Sequence, residues 1–141
     1  MAKKSVFVSF DFENDKRYKY LLEAWDANPK FEFVFADETP DEIDSTNIGR
    51  IKAALSTRIA AADYTLVIIG KEANKVHRHS RLIGHTNWLN FEVAKSKESG
   101  NGLVAVKIDG SYDAPEELLN AGASWAMSFD QAAIIRALDQ A

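Results

Sequence analysis

Tyr64-Thr65-Leu66-Val67-Ile68-Ile69-Gly70 is the stretch whose reading decides the fold. Its centre, Leu66–Ile69, is a continuous apolar run rather than an alternating one, and a glycine closes it. Such a run implies a central strand buried on both faces, as a parallel sheet with helices on either side requires. Upstream, Ile48, Ile51, Leu55, Ile59 and Ala62 recur at helical spacing, predicting a helix over 47–61. The acidic stretch Asp37–Glu42 before it reads as a loop, and Phe31–Phe35 as a second strand. A helix capped by Asn14 or Asp15 precedes that strand and runs to about Ala27, with Tyr18, Leu21, Leu22 and Trp25 on one stripe. Asn28-Pro29 ends it, because proline disfavours helical geometry in the preceding residue. Ser5–Phe10, β-branched and aromatic, is the first strand.

Downstream, Gly70–Thr86 shows no periodicity, and loops of that length are usually functional or mobile. A helix over 87–99 stops at Gly100-Asn101-Gly102, and Leu103–Ile108 is a fourth strand. Pro115 opens a short helix through Asn120, Ser124–Met127 is a brief edge strand, and Asp130 caps a last helix carrying Ile134, Ile135 and Leu138. Strands alternating with helices predict one α/β domain over residues 1–141. It is a three-layer sandwich around a five-stranded parallel sheet in the flavodoxin-like order 2-1-3-4-5. Ligands of such sheets bind beyond the carboxyl ends of the strands, where the order reverses between the first and third. Three segments converge there: 11–15, 36–46, and Gly70 through the start of the next helix.

Composition narrows the function classes. Hydrophobic residues make up 46% and charged residues 27% of the chain, ordinary for a globular protein. With 17 basic against 21 acidic residues the net charge is −4, without the basic excess of a nucleic-acid-binding module. The absence of cysteine removes disulfides, thiolate metal sites and thiol catalysis. Lys3 and Lys4 precede Val6–Phe10, but that run stops at Asp11, too short for a signal peptide or a membrane span. The expectation is a soluble, cytoplasmic domain that engages neither membrane nor nucleic acid.

The familiar uses of this architecture fit poorly. A flavodoxin or P-loop needs a glycine- or hydroxyl-rich loop after the first strand, and here that loop is Asp11-Phe12-Glu13-Asn14-Asp15, which would repel phosphate. A receiver domain needs an acceptor aspartate at the tip of the third strand, where this chain has Ile69-Gly70-Lys71. There is no Gly-x-Ser-x-Gly elbow. His77, His79 and His85 lack helical i, i+4 spacing and a nearby carboxylate ligand, so no metal is expected. Lys71, Lys75, Arg78 and Arg81 make the same segment basic in an acidic chain; it either aids solubility or clamps an anion.

The sharpest local feature is Asn87-Trp88-Leu89-Asn90-Phe91-Glu92. Trp88 and Glu92 are four apart at a helix start and share a face. They can place a carboxylate beside an aromatic at the crevice, suited to stabilising positive charge on a sugar. The plainer reading makes Trp88 and Phe91 core and pairs Glu92 with Lys95 or Ser96.

Val6-Phe7-Val8-Ser9-Phe10-Asp11-Phe12-Glu13-Asn14-Asp15 together with Trp88-x-x-x-Glu92 resembles the TIR-like family, and within it the ThsB-type proteins of Thoeris anti-phage defence. The similarity extends through the Ile/Leu-spaced second helix, Ala61-Ala62-Asp63, Leu66–Gly70 and Leu103–Ile108, and spans most of residues 5–108. The resemblance implies an NAD+ glycohydrolase or ADP-ribosyl cyclase that breaks the nicotinamide–ribose bond, with NAD+ as substrate and no other cofactor. It further implies a cyclic or conjugated nucleotide signal that activates a separate effector protein. By position Glu92 matches the catalytic glutamate, Phe10, Asp11 and Phe12 the loop lining the nucleotide pocket, and Asp37 the flap region. Trp88 or Phe10 would stack on nicotinamide or adenine. Gly70–Thr86 does not align with the family. The alternative is a non-catalytic TIR-like scaffold that self-associates.

Overall fold

The structure, a computed structural model, describes residues 4–26, 33–36 and 47–141. Within them the chain forms β1 (Lys4–Ser9), α1 (Phe12–Asp26), β2 (Phe33–Ala36), α2 (Ile48–Ala61), β3 (Tyr64–Ile69), α3 (Ser80–Ile83), α4 (Trp88–Ser99), β4 (Gly102–Lys107), β5 (Ser124–Ala126) and α5 (Gln131–Gln140), with a 3-10 turn at Glu116–Leu118. The strands pair in parallel in the order β2-β1-β3-β4-β5, the flavodoxin-like order expected from the sequence. The start of the second strand, the Asn28-Pro29 stop, the acidic stretch and Asp37 lie outside the described residues.

Strand alternation sorts side chains into the two helical layers. Val6, Val8, Phe10, Leu66, Ile68, Val104 and Val106 pack against Leu22 of α1 and Ile134, Ala137 and Leu138 of α5. On the opposite face Phe7 joins Ile51, Leu55 and Ile59 of α2 and Trp88 and Phe91 of α4, while Val67, Ile69 and Ala105 meet Leu89 and Val93. The central strand is buried from Thr65 through Ile69, as its continuous apolar run requires.

Side-chain caps set the helix starts. The Oδ1 atoms of Asn47, Asn87 and Asp130 accept from the N–H groups of Arg50 (3.1 Å), Asn90 (3.0 Å) and Ala132 (3.2 Å). Gly100, at φ 75°, takes the left-handed conformation that closes α4. Two expectations are corrected on α1. The helix starts at Phe12, ahead of Asn14 and Asp15, because the Asp11 carbonyl accepts from Asp15 N–H at 2.8 Å. Leu21 is 45% exposed, so the buried stripe runs through Leu22 with Tyr18 and Trp25 only partly covered.

Candidate active site

The site is built where β1 and β3 end and α4 begins. On β1 the alternation that sends Phe7 toward α2 and α4 also sends Ser9, the last strand residue, to that face. Asn87 does more than cap α4: its amide donates to the carbonyls of Ala73 and Lys75, both at 2.9 Å, and so ties the segment after β3 to the helix start. With the helix start held, Glu92 in its second turn lies over the end of β1. Ser9 Oγ donates to Glu92 Oε1 at 2.7 Å, and both side chains are buried, Glu92 at 2% exposure.

A polar seam continues beneath α4. Ser96 Oγ donates to the Glu92 carbonyl at 2.7 Å and lies 2.6 Å from Thr65 Oγ1, which in turn accepts from Asn101 Nδ2 at 3.3 Å. Burying a carboxyl costs free energy that only hydrogen bonding offsets. A buried glutamate in this position, where leucine would pack with less penalty, makes the place a candidate for chemistry.

The aromatic neighbours are core residues. Trp88 is 8% exposed and Phe91 1%, their rings in an edge-on contact with centroids 5.6 Å apart. Phe10, 3% exposed, packs in the opposite layer. In this arrangement Trp88 and Phe10 offer a ligand no open ring face. The plainer spacing-based reading therefore describes Trp88 and Phe91, whereas the Glu92 carboxyl bonds to Ser9: Lys95 pairs with Glu98 at 3.0 Å, and Ser96 reaches Glu92 through its backbone carbonyl. Asp11 is partly buried at the α1 cap, and Asn14 Nδ2 donates to both Asp11 Oδ2 (2.6 Å) and Glu72 Oε2 (3.1 Å). The Phe12 side chain and Asp37 lie outside what the structure describes.

A second carboxyl reaches the crevice from the α1 layer. Asp15 is 5% exposed and lies against Gly70 at the tip of β3 so closely that a Cβ there would collide with the Asp15 carboxylate. Burial, and then the negative charge of Asp11, push the Asp15 pKa up to about 6; Arg17 opposes the rise and Glu72 adds to it. Sequence reading assigned Asp15 to capping and missed Ser9. An available signal was the hydroxyl that follows the apolar run Val6-Phe7-Val8 on the same strand face as Phe7.

His77, His79 and His85 do not converge on a metal: among the described residues no group of three or more His, Cys, Asp or Glu side chains could hold one. His85 Nδ1 instead lies 3.6 Å from Glu117 Oε1. A shallow cleft lined by Lys4, Asp63, Tyr64, Gly100, Gly102 and Ala141 opens at the amino ends of the strands, opposite Glu92. No helix among the described residues is long and apolar enough to cross a membrane.

Residues 7–113 match the family described as Thoeris protein ThsB, TIR-like domain. The chain belongs to that family. No curated protein matches the sequence. Among solved structures, the ThsB-family chain is similar to a 2-deoxyribosyltransferase from Bacillus psychrosaccharolyticus, at 13% identity and TM-score 0.58 over 92% of this chain and 95% of that one. It is similar also to a 2-deoxyribosyltransferase from Leishmania mexicana, at 12% identity and TM-score 0.59 over 94% and 95%. The TIR domains of the activated Roq1 resistosome match at 16% identity and TM-score 0.44, over 77% of this chain and 61% of that one. At these identities the transferases share the fold of this ThsB-family domain, and function has to be argued from its own site.

Proposed function

We propose that this TIR-like protein is an enzyme that breaks the nicotinamide–ribose bond of NAD+ and turns the ADP-ribosyl unit into a cyclic or conjugated nucleotide signal for a separate effector protein in anti-phage defence. The observation that carries the reading is the Glu92 carboxyl, buried at the β1–β3 crevice and held by Ser9 Oγ at 2.7 Å. Membership of the ThsB family supports the substrate class.

The chemistry follows from charge. When the C–N bond breaks, its electron pair leaves with nicotinamide, which becomes neutral, and positive charge develops on the ribose ring. Nicotinamide is already cationic before cleavage, so the leaving group needs no proton. A fixed carboxylate in a site of low dielectric stabilises the developing oxocarbenium ion more than it stabilises the ground state. Glu92 supplies that charge and Ser9 fixes its orientation. Water or a nucleophile of the substrate itself then forms the new bond to the ribose carbon and loses a proton. Because Glu92 is 2% exposed, the substrate reaches it only as the crevice side chains part. Asp11, Phe12 and Asp37 are the proposed contacts to the nucleotide, with Phe10 and Trp88 joining them only when the same parting of side chains uncovers their rings.

The test is product analysis. Protein incubated with NAD+, alone and with extract of phage-infected cells, should release nicotinamide and one ADP-ribose-derived product in equal amounts. NAD+ left intact under both conditions overturns the proposal.

One observation favours a second reading, self-association without catalysis. Leu119, Trp125 and Met127, on and beside the edge strand β5, are 64%, 40% and 58% exposed. Sedimentation of wild type and Trp125→Ser across a concentration range tests it. A mass that rises with concentration only in the wild type, together with intact NAD+, would establish that reading.

A further inference from the structure

Most of the described basic side chains are engaged. Lys75 lies 3.7 Å from Glu72, Lys95 pairs with Glu98 and Lys97 with Glu117. Lys52 donates to the Leu82 carbonyl, Arg58 to that of Ala54 and Arg17 to Tyr18 Oη. Five make no hydrogen bond or ion pair among the described residues: Arg50, Lys71, Arg78, Arg81 and Arg136. Only Arg136, on α5, lies away from the carboxyl edge of the sheet. Lys71, Arg78 and Arg81 lie on the connection from β3 to α4, and Arg50 on the first turn of α2, beside α3. In a chain of net charge −4, uncompensated positive charge has gathered along one edge.

The backbone beneath these side chains is secured. Ala73 and Ile83 are fully buried, Ile83 among Ile51, Leu55 and Ile59. His77 N–H donates to the Thr86 carbonyl at 2.8 Å, and the Asn87 amide closes the near end on Ala73 and Lys75. Lys71, Arg78 and Arg81 are exposed on this anchored segment. Like charges carried on one anchored segment without ion-pair partners repel, and a multivalent anion relieves the repulsion, with guanidinium groups suited to two oxygens at once. Anchoring lowers the entropy lost when such a ligand binds.

We infer that Arg78 and Arg81, with Lys71 beside them, form an anion subsite that takes the pyrophosphate of a dinucleotide whose sugar lies at Glu92. The inference rests on the proposed NAD+ reading for the identity of the ligand, and on the charge pattern for the location. Acidic Asp11, Asp15 and Glu72 at the ends of β1 and β3 leave the basic segment as the place where phosphates are tolerated.

The experiment measures binding, so that it stands apart from turnover. Titration calorimetry of ADP-ribose, adenosine and inorganic pyrophosphate is run on the Glu92→Gln protein, in which turnover should be suppressed. Adding Arg78→Ala and Arg81→Ala should weaken ADP-ribose and pyrophosphate binding by about tenfold or more. Adenosine affinity should stay within twofold. Arg136→Ala, the loss of one unpaired charge elsewhere, should leave all three within twofold, and Arg78→Lys with Arg81→Lys should recover part of the loss. The inference is overturned if the Arg78/Arg81 protein matches the Arg136 control, or if ADP-ribose fails to bind at millimolar concentration. Normal clamp behaviour with no nicotinamide release from the wild type would remove the proposed reaction and leave the subsite standing.

Discussion

Replacing Asp15 by asparagine should stabilise the protein at neutral pH, an unusual direction for a change at a buried position. Asp15 is 5% exposed, and its Oδ2 has no hydrogen-bond partner. Its carboxyl faces the negative charges of Asp11 and Glu72, with Arg17 the one opposing cation. Burial first, and then Asp11, raise its pKa from 3.8 to about 6. Between those values the folded protein keeps a proton that the unfolded chain has released, so stability falls as pH rises from about 4 to about 6 and then stays lower. At ~1.4 kcal/mol per pH unit the penalty is at most ~3 kcal/mol. Solvent screening at the lip, where the Glu72 side chain is 42% exposed, brings the expectation to ~2 kcal/mol. Asparagine never ionises and escapes the penalty. Urea unfolding followed by tryptophan fluorescence between pH 4 and 8 measures the difference. The two proteins should be closest at pH 4, and the variant should be ahead by ~2 kcal/mol above pH 7. Parallel stability curves, or a variant that loses ground as pH rises, would refute the electrostatic account of Asp15.

Ser9→Ala should cost ~1–3 kcal/mol of stability, because it strips a donor from a buried carboxyl, and nicotinamide release should slow with it. Chemical denaturation and product analysis on one preparation check both, and an unchanged unfolding midpoint would mean the contact contributes nothing. Gly70→Ala drives a methyl into the Asp15 carboxyl and should cost ~2 kcal/mol or more, most of it recovered when Asp15→Ala is added. Additive losses in that pair would show that the two residues do not meet.

The architecture was legible because its cues are local. The apolar run Leu66–Ile69 identified the central strand, and Asn47, Asn87 and Asp130 marked three helix starts through the one chemistry a short polar side chain offers a backbone N–H. Cues failed where a distant partner competes. Asp15 looks like a cap, but its side chain is spent on Gly70, 55 positions on, and the helix begins earlier. Leu21 and Leu22 both fit a helical stripe, and only the placement of α1 on the sheet decides that Leu22 is covered. At the site, the spacing of Trp88 and Glu92 put them on one face but could not show that the indole enters the α2–α4 core. The bond between Ser9 and Glu92 joins residues 83 positions apart, and the hydroxyl on β1 marks Ser9 without naming its partner. Gly70–Thr86 carries no periodicity because Ala73 and Ile83 anchor it singly, at irregular spacing.

The central claim is that the charge on Glu92 drives bond cleavage, and Glu92→Gln tests it most directly. The substitution keeps the shape of the side chain, and its amide oxygen can still accept from Ser9 Oγ, so the fold should survive while the negative charge is lost. With circular dichroism and unfolding midpoint matched to the wild type, nicotinamide release from NAD+ should fall by about 100-fold or more. Equal rates from the two folded proteins would contradict the account.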